Sequence, residues 1–355
     1  MKKLLISSAA ILVLLVVANQ KDHLLTTILQ RGIESRLETD LVSELADGLH
    51  LGLCGAGGPL PAPTASGPCV VVIAGTRTFV VDAGTNGLRN LNRMGVRTGQ
   101  IEALFLTHFH SDHIDGLGEM ATIRWVSEAN TTPLSVHGPT GVAKVVQGFN
   151  MAYSFDAEYR HAHHGDTVAP LSGAGMVVHE FPTPELGVIT TLVEEQDLKI
   201  EVFAVGHAPV EPAVGYRFTY RDRTLLITGD TIAMDNVREF AQGVDLLVHE
   251  ALAPNLVTQM NRVAKTLENR VLDKVTLDIL DYHATPIQAA DVARDAGVGH
   301  LLYYHIVPPL VIPGQESLYL NGAQKVFSNY TVGRDGVFIS LPAGTREINT
   351  IRTKL

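Results

Sequence analysis

The stretch His108-Phe109-His110-Ser111-Asp112-His113 places four potential metal ligands directly after the apolar run Ile101 to Leu106. Alternation along a strand sets His108 and His110 on one face as the strand ends, and the turn after them can swing Asp112 and His113 toward a second ion. Neutral imidazoles with a carboxylate suit zinc, and the absence of nearby cysteine argues against a closed structural site. The same form recurs along the chain. His207 follows the apolar run Ile200 to Val205, Asp230 follows Thr224 to Ile227, and His305 follows His300 to Tyr304. Each candidate ligand therefore sits at or just past the end of a predicted strand, where open sheets carry their functional groups. Asp82, after Phe79-Val80-Val81, fits a brace for its loop or a hydrogen-bond partner of a ligand histidine. Ligands spread from residue 108 to residue 305 must meet at one site, which favours a single sandwich over two domains.

Taken in order, Asp82, the cluster His108/His110/Asp112/His113, His207, Asp230 and His305 resemble the five signature motifs of the metallo-β-lactamase-fold superfamily. The resemblance is to the tRNase Z and arylsulfatase-like branch, through the segment from Gly206-His207-Ala208-Pro209 to Gly215-Tyr216-Arg217 and through Gly229-Asp230-Thr231. Val248-His249-Glu250-Ala251 and His283-Ala284-Thr285, followed by Gln288-Ala289-Ala290, are similar to two further segments of that branch.

That resemblance implies an α/β (α+β) chain folded as a four-layer αββα sandwich. It implies a dinuclear metallo-hydrolase in which His108, His110 and His207 hold one zinc, Asp112, His113 and His305 hold the other, and Asp230 bridges them; iron or manganese stays open in such a His/Asp site. Two cations so placed lower the pKa of a shared water and offset the charge that builds on the substrate. Asp112 is then expected to orient that water and His249 to protonate the leaving group. His283 is expected to support a ligand, or merely to cap the helix that follows it.

Composition agrees with a large buried core: 355 residues, 46% hydrophobic and 18% charged, are too polar for a multi-span membrane protein. Lys2-Lys3 followed by the uncharged run Leu4 to Ala18 reads as an export signal with a cleavage site at Val16-Val17-Ala18, placing the mature protein in the periplasm or outside the cell. Left uncleaved, the run would anchor the chain to the membrane facing the periplasm. Leu25, Ile28, Leu29, Ile33, Leu37, Leu41 and Leu45 recur at helical spacing, so residues 19–48 are expected to form an amphipathic helix capped by Gly48. Its stripe could pack on the sandwich, dock a second subunit in a homodimer, or lie on a membrane. The catalytic domain is then residues 49–355. Cys54 and Cys69 flank the Pro-rich loop Gly55 to Gly67, as a disulfide or as two buried thiols. Thr285-Pro286-Ile287-Gln288 has the form of a capping box with proline at the first helical position, and Gly297 marks that helix's end.

A net charge of −10 opposes a polyanionic partner, and the chain lacks the long basic Gly/Pro-rich arm by which tRNase Z proteins grip tRNA. A nucleic-acid partner is therefore disfavoured. A small anionic ester, a phosphodiester or a sulfate ester, is the expected substrate, with Arg160, Arg217 and the cluster His161, His163 and His164 as its contacts. Three alternatives stand beside it: a lactonase or β-lactamase using the same centre, a tRNA 3′-end endonuclease, and a metal-binding interaction protein without catalysis.

Overall fold

The computed structural model describes residues 21–353. Two compact units divide the chain, residues 1–41 and residues 42–355. The described part of the first is a helix over residues 21–38, on which Leu24, Leu25, Ile28, Leu29, Ile33 and Leu37 are exposed. The expected export segment, residues 1–18, lies outside the described residues. The helix also stops earlier than its leucine spacing suggests. Gly48 does not cap it but opens a strand, where a Cβ would lie 2.4 Å from the Leu341 carbonyl oxygen. That close backbone approach explains the glycine.

The second unit contains two sheets. Its strands are β1 (Gly48–Gly55), β2 (Cys69–Ala74), β3 (Arg77–Val81), β4 (Ile101–Phe105), β5 (Leu134–Pro139), β6 (Met176–Phe181), β7 (Ile189–Glu195) and β8 (Leu198–Ala204). After them come β9 (Val214–Tyr220), β10 (Arg223–Ile227), β11 (Leu246–Leu252), β12 (His300–Val307), β13 (Tyr330–Val332), β14 (Val337–Pro342) and β15 (Asn349–Arg352). The first sheet runs β15-β14-β1-β2-β3-β4-β5-β6 and the second β13-β12-β11-β10-β9-β8-β7. Both have the same construction. The first is antiparallel from β15 to β3 and parallel from β3 to β6. The second is antiparallel from β7 to β10 and parallel from β10 to β13.

The change from antiparallel to parallel falls at β3 and at β10, and the residues just past them are Asp82 and, three positions on, Asp230. Strands of the parallel halves are covered on both faces and are correspondingly apolar, as in β11 and β12, where every residue is buried. Between the sheets, Leu51, Val72, Phe79 and Phe105 interleave with Ile200, Phe218, Leu225, Val248 and Leu302. Phe105 meets Tyr216 and Phe218 edge-on, at ring separations of 5.4 and 5.9 Å. Burial of each such side chain contributes about 1.5–3 kcal/mol.

Outside the second sheet, the helix Pro286–Asp295 lays Ala289, Ala290 and Ala293 against Leu247, Leu301 and Tyr303. Small side chains permit that close approach. Its amino terminus has the expected capping box, with Thr285 accepting from Gln288 N and Gln288 accepting from Thr285 N. Helices Gly87–Met94, Leu117–Ser127 and Val142–His164 contact the strands of the first sheet. With a helical layer on each sheet, the αββα arrangement is complete.

Cys54 and Cys69 are joined as a disulfide at the base of the Pro-rich loop. His137 on β5 is stacked between Phe105, at 4.7 Å, and His179 on β6, at 4.5 Å. Burial first, and then the neighbouring His179, push its pKa down to about 4. Because the folded pKa lies below that of the unfolded chain, the unfolded state binds more protons between about pH 6.5 and 4. Stability should therefore fall as the pH drops through this window, by up to ~2 kcal/mol between pH 6.5 and 5. Urea melts of the protein and of His137→Phe at both pH values test this. An equal loss in the two proteins would remove His137 as the cause.

Candidate metal centre

The loops past the strand ends deliver the sequence's ligand candidates to one cleft. His108 and His110 follow β4, and the helical turn Ser111–Ile114 brings Asp112 and His113 round, as expected from the spacing. His207 follows β8 and Asp230 follows β10. One group of side chains comprises His108, His110, His207 and Asp230, a second Asp112, His113 and His305, and in each the ligating atoms lie within 4.8 Å of one another. Asp230 stands between the two groups. Its Oδ2 is 3.8 Å from His108 Nε2, 3.7 Å from His207 Nε2 and 3.2 Å from His305 Nε2, while Oδ1 is 3.5 Å from His113 Nε2.

His305 reaches the cleft by a backbone irregularity. The pairing of β11 with β12 slips at this position, so His305 is the bulged residue, with φ at 46°. A non-glycine residue in the left-handed region is strained by about 1–3 kcal/mol, and such strain collects at functional sites. Asp82 has the same backbone twist, φ 59°. Facing His305 is Gly58, where a Cβ would come within 2.9 Å of the imidazole Cε1.

A second layer of hydrogen bonds fixes the rings. Asp82 Oδ2 accepts from His113 Nδ1 at 2.8 Å and from the Thr107 hydroxyl at 2.9 Å, and Oδ1 accepts from Thr107 N. Thr107 in turn accepts from His108 Nδ1 at 3.1 Å. His207 Nδ1 donates to the Tyr282 carbonyl at 2.9 Å. With Nδ1 donating in each ring, Nε2 points into the cleft as the atom open to a cation. Buried and without hydrogen-bond partners there are His113 Nε2, His207 Nε2 and Asp230 Oδ1. Such orphaned atoms are what ligands held ready for cations look like.

Electrostatics fit the same purpose at three of the rings, whereas at His113 burial is outweighed by the Asp230 and Asp82 carboxylates, which raise its pKa well above the ordinary value, so a cation there would displace a proton. Burial first, and then the adjacent imidazoles, hold His108 well below its ordinary pKa; burial likewise lowers His110 and His207, keeping them neutral. Burial alone would raise Asp230, but His305, His113 and His108 overcome it and hold the carboxylate well below its usual range. For Asp112, burial is likewise outweighed by the hydrogen bond and charge of His305 and the charge of His113. The donor set, five imidazoles and two carboxylates, suits divalent zinc, iron or manganese.

Other expected positions fall elsewhere. His249 belongs to neither group: its ring is fully buried and its Nδ1 donates to the carbonyl of Glu250. The side chain that turns to the cleft from this strand is Glu250, whose Oε1 accepts from Ala284 N at 2.9 Å and pairs with His283 Nδ1 at 3.3 Å. Strand alternation explains the exchange, since neighbours on β11 face opposite sides. His283 shares a third converging group with Asp230 and His305. Burial pulls its pKa down, but the Glu250 carboxylate prevails and raises it to about 9.

Arg217 is not at the cleft either: it pairs with the buried Glu201 at 2.8 Å and bonds the Phe240 carbonyl. Arg160 pairs with Asp156 one helical turn away, and His161 bonds the Ala169 carbonyl. None of these lines the cavity of about 750 Å³ that opens beside Asp112. Residues that the sequence reading missed are Thr107, Tyr282 and Gly58. Tyr282 acts through its carbonyl, Gly58 through the absence of a side chain and Thr107 through a hydroxyl next to the ligand His108, and none of these leaves a motif.

The chain matches the family described as the Metallo-beta-lactamase superfamily over residues 63–274. It is 35% identical over 290 residues to the Ribonuclease Z of Mycobacterium bovis (strain BCG / Pasteur 1173P2), covering 81% of this chain and 96% of that protein. Among solved structures, it resembles the metallo-beta-lactamase fold protein YhfI from Bacillus subtilis, with a TM-score of 0.59 and 20% identity over 82% of this chain and 99% of that one. Human tRNase Z, short form, gives a TM-score of 0.57 at 21% identity, again over 82% and 99%.

Two equivalents of a divalent cation should bind the purified protein. Asp82→Asn, which weakens the bracket on His113 while leaving every ligand in place, should lower affinity about 10–100-fold. Competition with a chromophoric chelator reads both quantities. Unchanged affinity in the variant would show that the bracket does not tune the site.

Proposed function

Because this chain belongs to the metallo-β-lactamase superfamily, where it is a metal-dependent hydrolase, we propose that it cleaves RNA phosphodiesters in the manner of the ribonuclease Z proteins, at the 3′ side of tRNA-like precursors. The observation that carries this reading is the 35% identity to a Ribonuclease Z over 290 residues, 96% of that protein, a span long enough to take in the ligands from His108 to Asp230. It corrects the expectation that nucleic acid is disfavoured, and with it the small-ester substrate. Net charge was the wrong quantity: a charge of −10 spread over the whole chain says little about a cleft whose strongest local charges are the cations it is built to hold.

His108, His110 and His207 would hold one zinc, Asp112, His113 and His305 the other, and Asp230 both. The pair, when bound, supplies Lewis-acid charge that lowers the pKa of a water and offsets the charge on a phosphoryl group. The chain's own residues do the rest. Asp112, its side chain largely buried beside His305 at 3.4 Å, is placed to orient a water toward phosphorus. His283, held by Glu250, is placed to protonate the leaving oxygen, the role expected of His249.

A precursor tRNA carrying a 3′ extension should be cut by the metal-loaded protein and spared after chelation. His283→Ala should slow this cleavage by about 10²–10⁴-fold and barely affect bis-p-nitrophenyl phosphate, whose leaving group needs no proton. Intact RNA alongside rapid hydrolysis of a lactone or of p-nitrophenyl sulfate would overturn the reading. Equal losses on both phosphodiesters would remove His283 as the acid.

The Cys54–Cys69 disulfide supports a separate part of the proposal, that the protein works in an oxidising compartment. Residues 1–48 fused to a reporter should then direct its export. A reporter kept wholly in the cytoplasm would refute this part and leave the chemistry untouched.

A further inference from the structure

Beside the ligand cluster lies a cavity of about 750 Å³ that the mechanism above does not use; Asp112 forms part of its lining. Its volume is that of a small-molecule or cofactor site. One wall is the loop over residues 56–67, which contains no charged side chain. Pro59, Pro61 and Pro63 line the cavity from this loop, and Pro309 and Leu310 line it from the segment after β12.

The wall is preformed. The disulfide closes its base, and the buried carboxylate of Asp335 accepts from Ala56 N, Ser66 N and Asn90 Nδ2, each at 2.9 Å. Ile306 N donates to the Ala56 carbonyl, tying the loop to the strand that carries His305. Such fixing removes the ordering cost that a mobile wall would impose on binding.

The cationic residues of the lining are Arg93 and Arg334. Arg93 Nη1 is steadied by Asn90 Oδ1 at 3.1 Å, and Arg334 pairs at 3.3 Å with Glu316, both side chains about half-exposed. Of the acidic lining, Asp112 belongs to the ligand set, Asp335 is taken by its three donors, and Asp115 is an exposed carboxylate that accepts from the Thr85 hydroxyl at 3.5 Å. The cavity thus combines flat apolar walls with two guanidinium groups and one exposed carboxylate, Asp115, next to the candidate metal centre.

We propose that this cavity is a nucleotide subsite: it takes the nucleoside adjoining the scissile bond, with the base against the proline wall and the next phosphate on Arg93 and Arg334. Guanidinium groups are suited to phosphate by their fixed fork of donors. The proposal rests on the RNA reading and specifies where that substrate is held.

Calorimetric titration of the metal-loaded protein with adenosine 5′-monophosphate, and separately with inorganic phosphate, tests it without relying on turnover. The nucleotide should bind at least about tenfold more tightly than phosphate, and Arg93→Ala combined with Arg334→Ala should erase most of that margin. Arg93→Lys with Arg334→Lys, which keeps the charge, should restore part of it. Equal binding of nucleotide and phosphate, or an unchanged margin in the alanine variant, would overturn the subsite. Precursor-RNA cleavage is scored separately. A protein that cuts no RNA yet loses its nucleotide margin on arginine removal would keep the subsite and lose the RNA reading.

Discussion

Five imidazoles and two carboxylates share one cleft, most of them buried, and their mutual geometry is what the surrounding structure must maintain. Without cations the arrangement is expensive. His113 Nε2, His207 Nε2 and Asp230 Oδ1 are buried with no partner, and each such atom costs about 1–3 kcal/mol. A cleft of this kind survives only if the chain around it prevents collapse. Asp82 does so by holding His113 directly and His108 through Thr107, and it adopts left-handed backbone to do it. The strain at Asp82 and His305 is stored close to the ligands because the rigid sheets on either side over-determine those positions.

Sheet construction supplies that rigidity. Each sheet is an antiparallel meander joined to a parallel half, and the ligand loops leave the strands at or near the junction. Parallel strands all point their carboxyl ends the same way, so successive loops can converge without long excursions. His207 shows the alternative: it follows an antiparallel strand, and it needs the Tyr282 carbonyl, 75 residues on, to fix its ring. That bond couples the first metal group to the segment carrying His283. The two halves of the proposed chemistry therefore share a support.

Apolar runs in the chain marked the strand ends from which His108, His110, Asp112, His113, His207, Asp230 and His305 converge, whereas the four-layer fold and the sorting of these ligands into two groups were legible only through the resemblance to the metallo-β-lactamase fold. That His249 lies outside the ligand groups while its neighbour Glu250 turns to the cleft and meets His283 has a definite cause. Adjacent residues on a strand face opposite sides, so a one-residue difference decides which of the two enters the cleft, and the bulge at His305 on the neighbouring β12 is what turns that ligand inward. No composition or spacing rule announces a bulge. Arg217 and Arg160 were misjudged for a different reason. An arginine's charge is visible in sequence, but the carboxylate that claims it, Glu201 in one case and Asp156 in the other, is chosen by the fold. The helix end misplaced at Gly48 belongs to the same class: glycine there serves a close contact across β1 and β14 rather than a helix terminus.

Charge at the scale of a whole chain and charge at the scale of a substrate obey different rules. At physiological salt, exposed charges more than about 8 Å apart are largely screened from one another, so carboxylates on distant surfaces add to the net count without repelling a phosphate in the cleft. On the RNA reading, what a phosphodiester would meet is the field within a few ångströms: two cations when bound, His283 beside Glu250, and, in the adjoining cavity, Arg93 and Arg334 with the exposed Asp115. Asp112 and Asp230 would be taken up in holding the cations, and Glu250 is paired with His283. An acidic protein can therefore present a locally cationic cleft. It gives up the long-range attraction that a basic surface would supply, and must hold its substrate by fitted contacts, for which a walled cavity next to the ligands is the appropriate device.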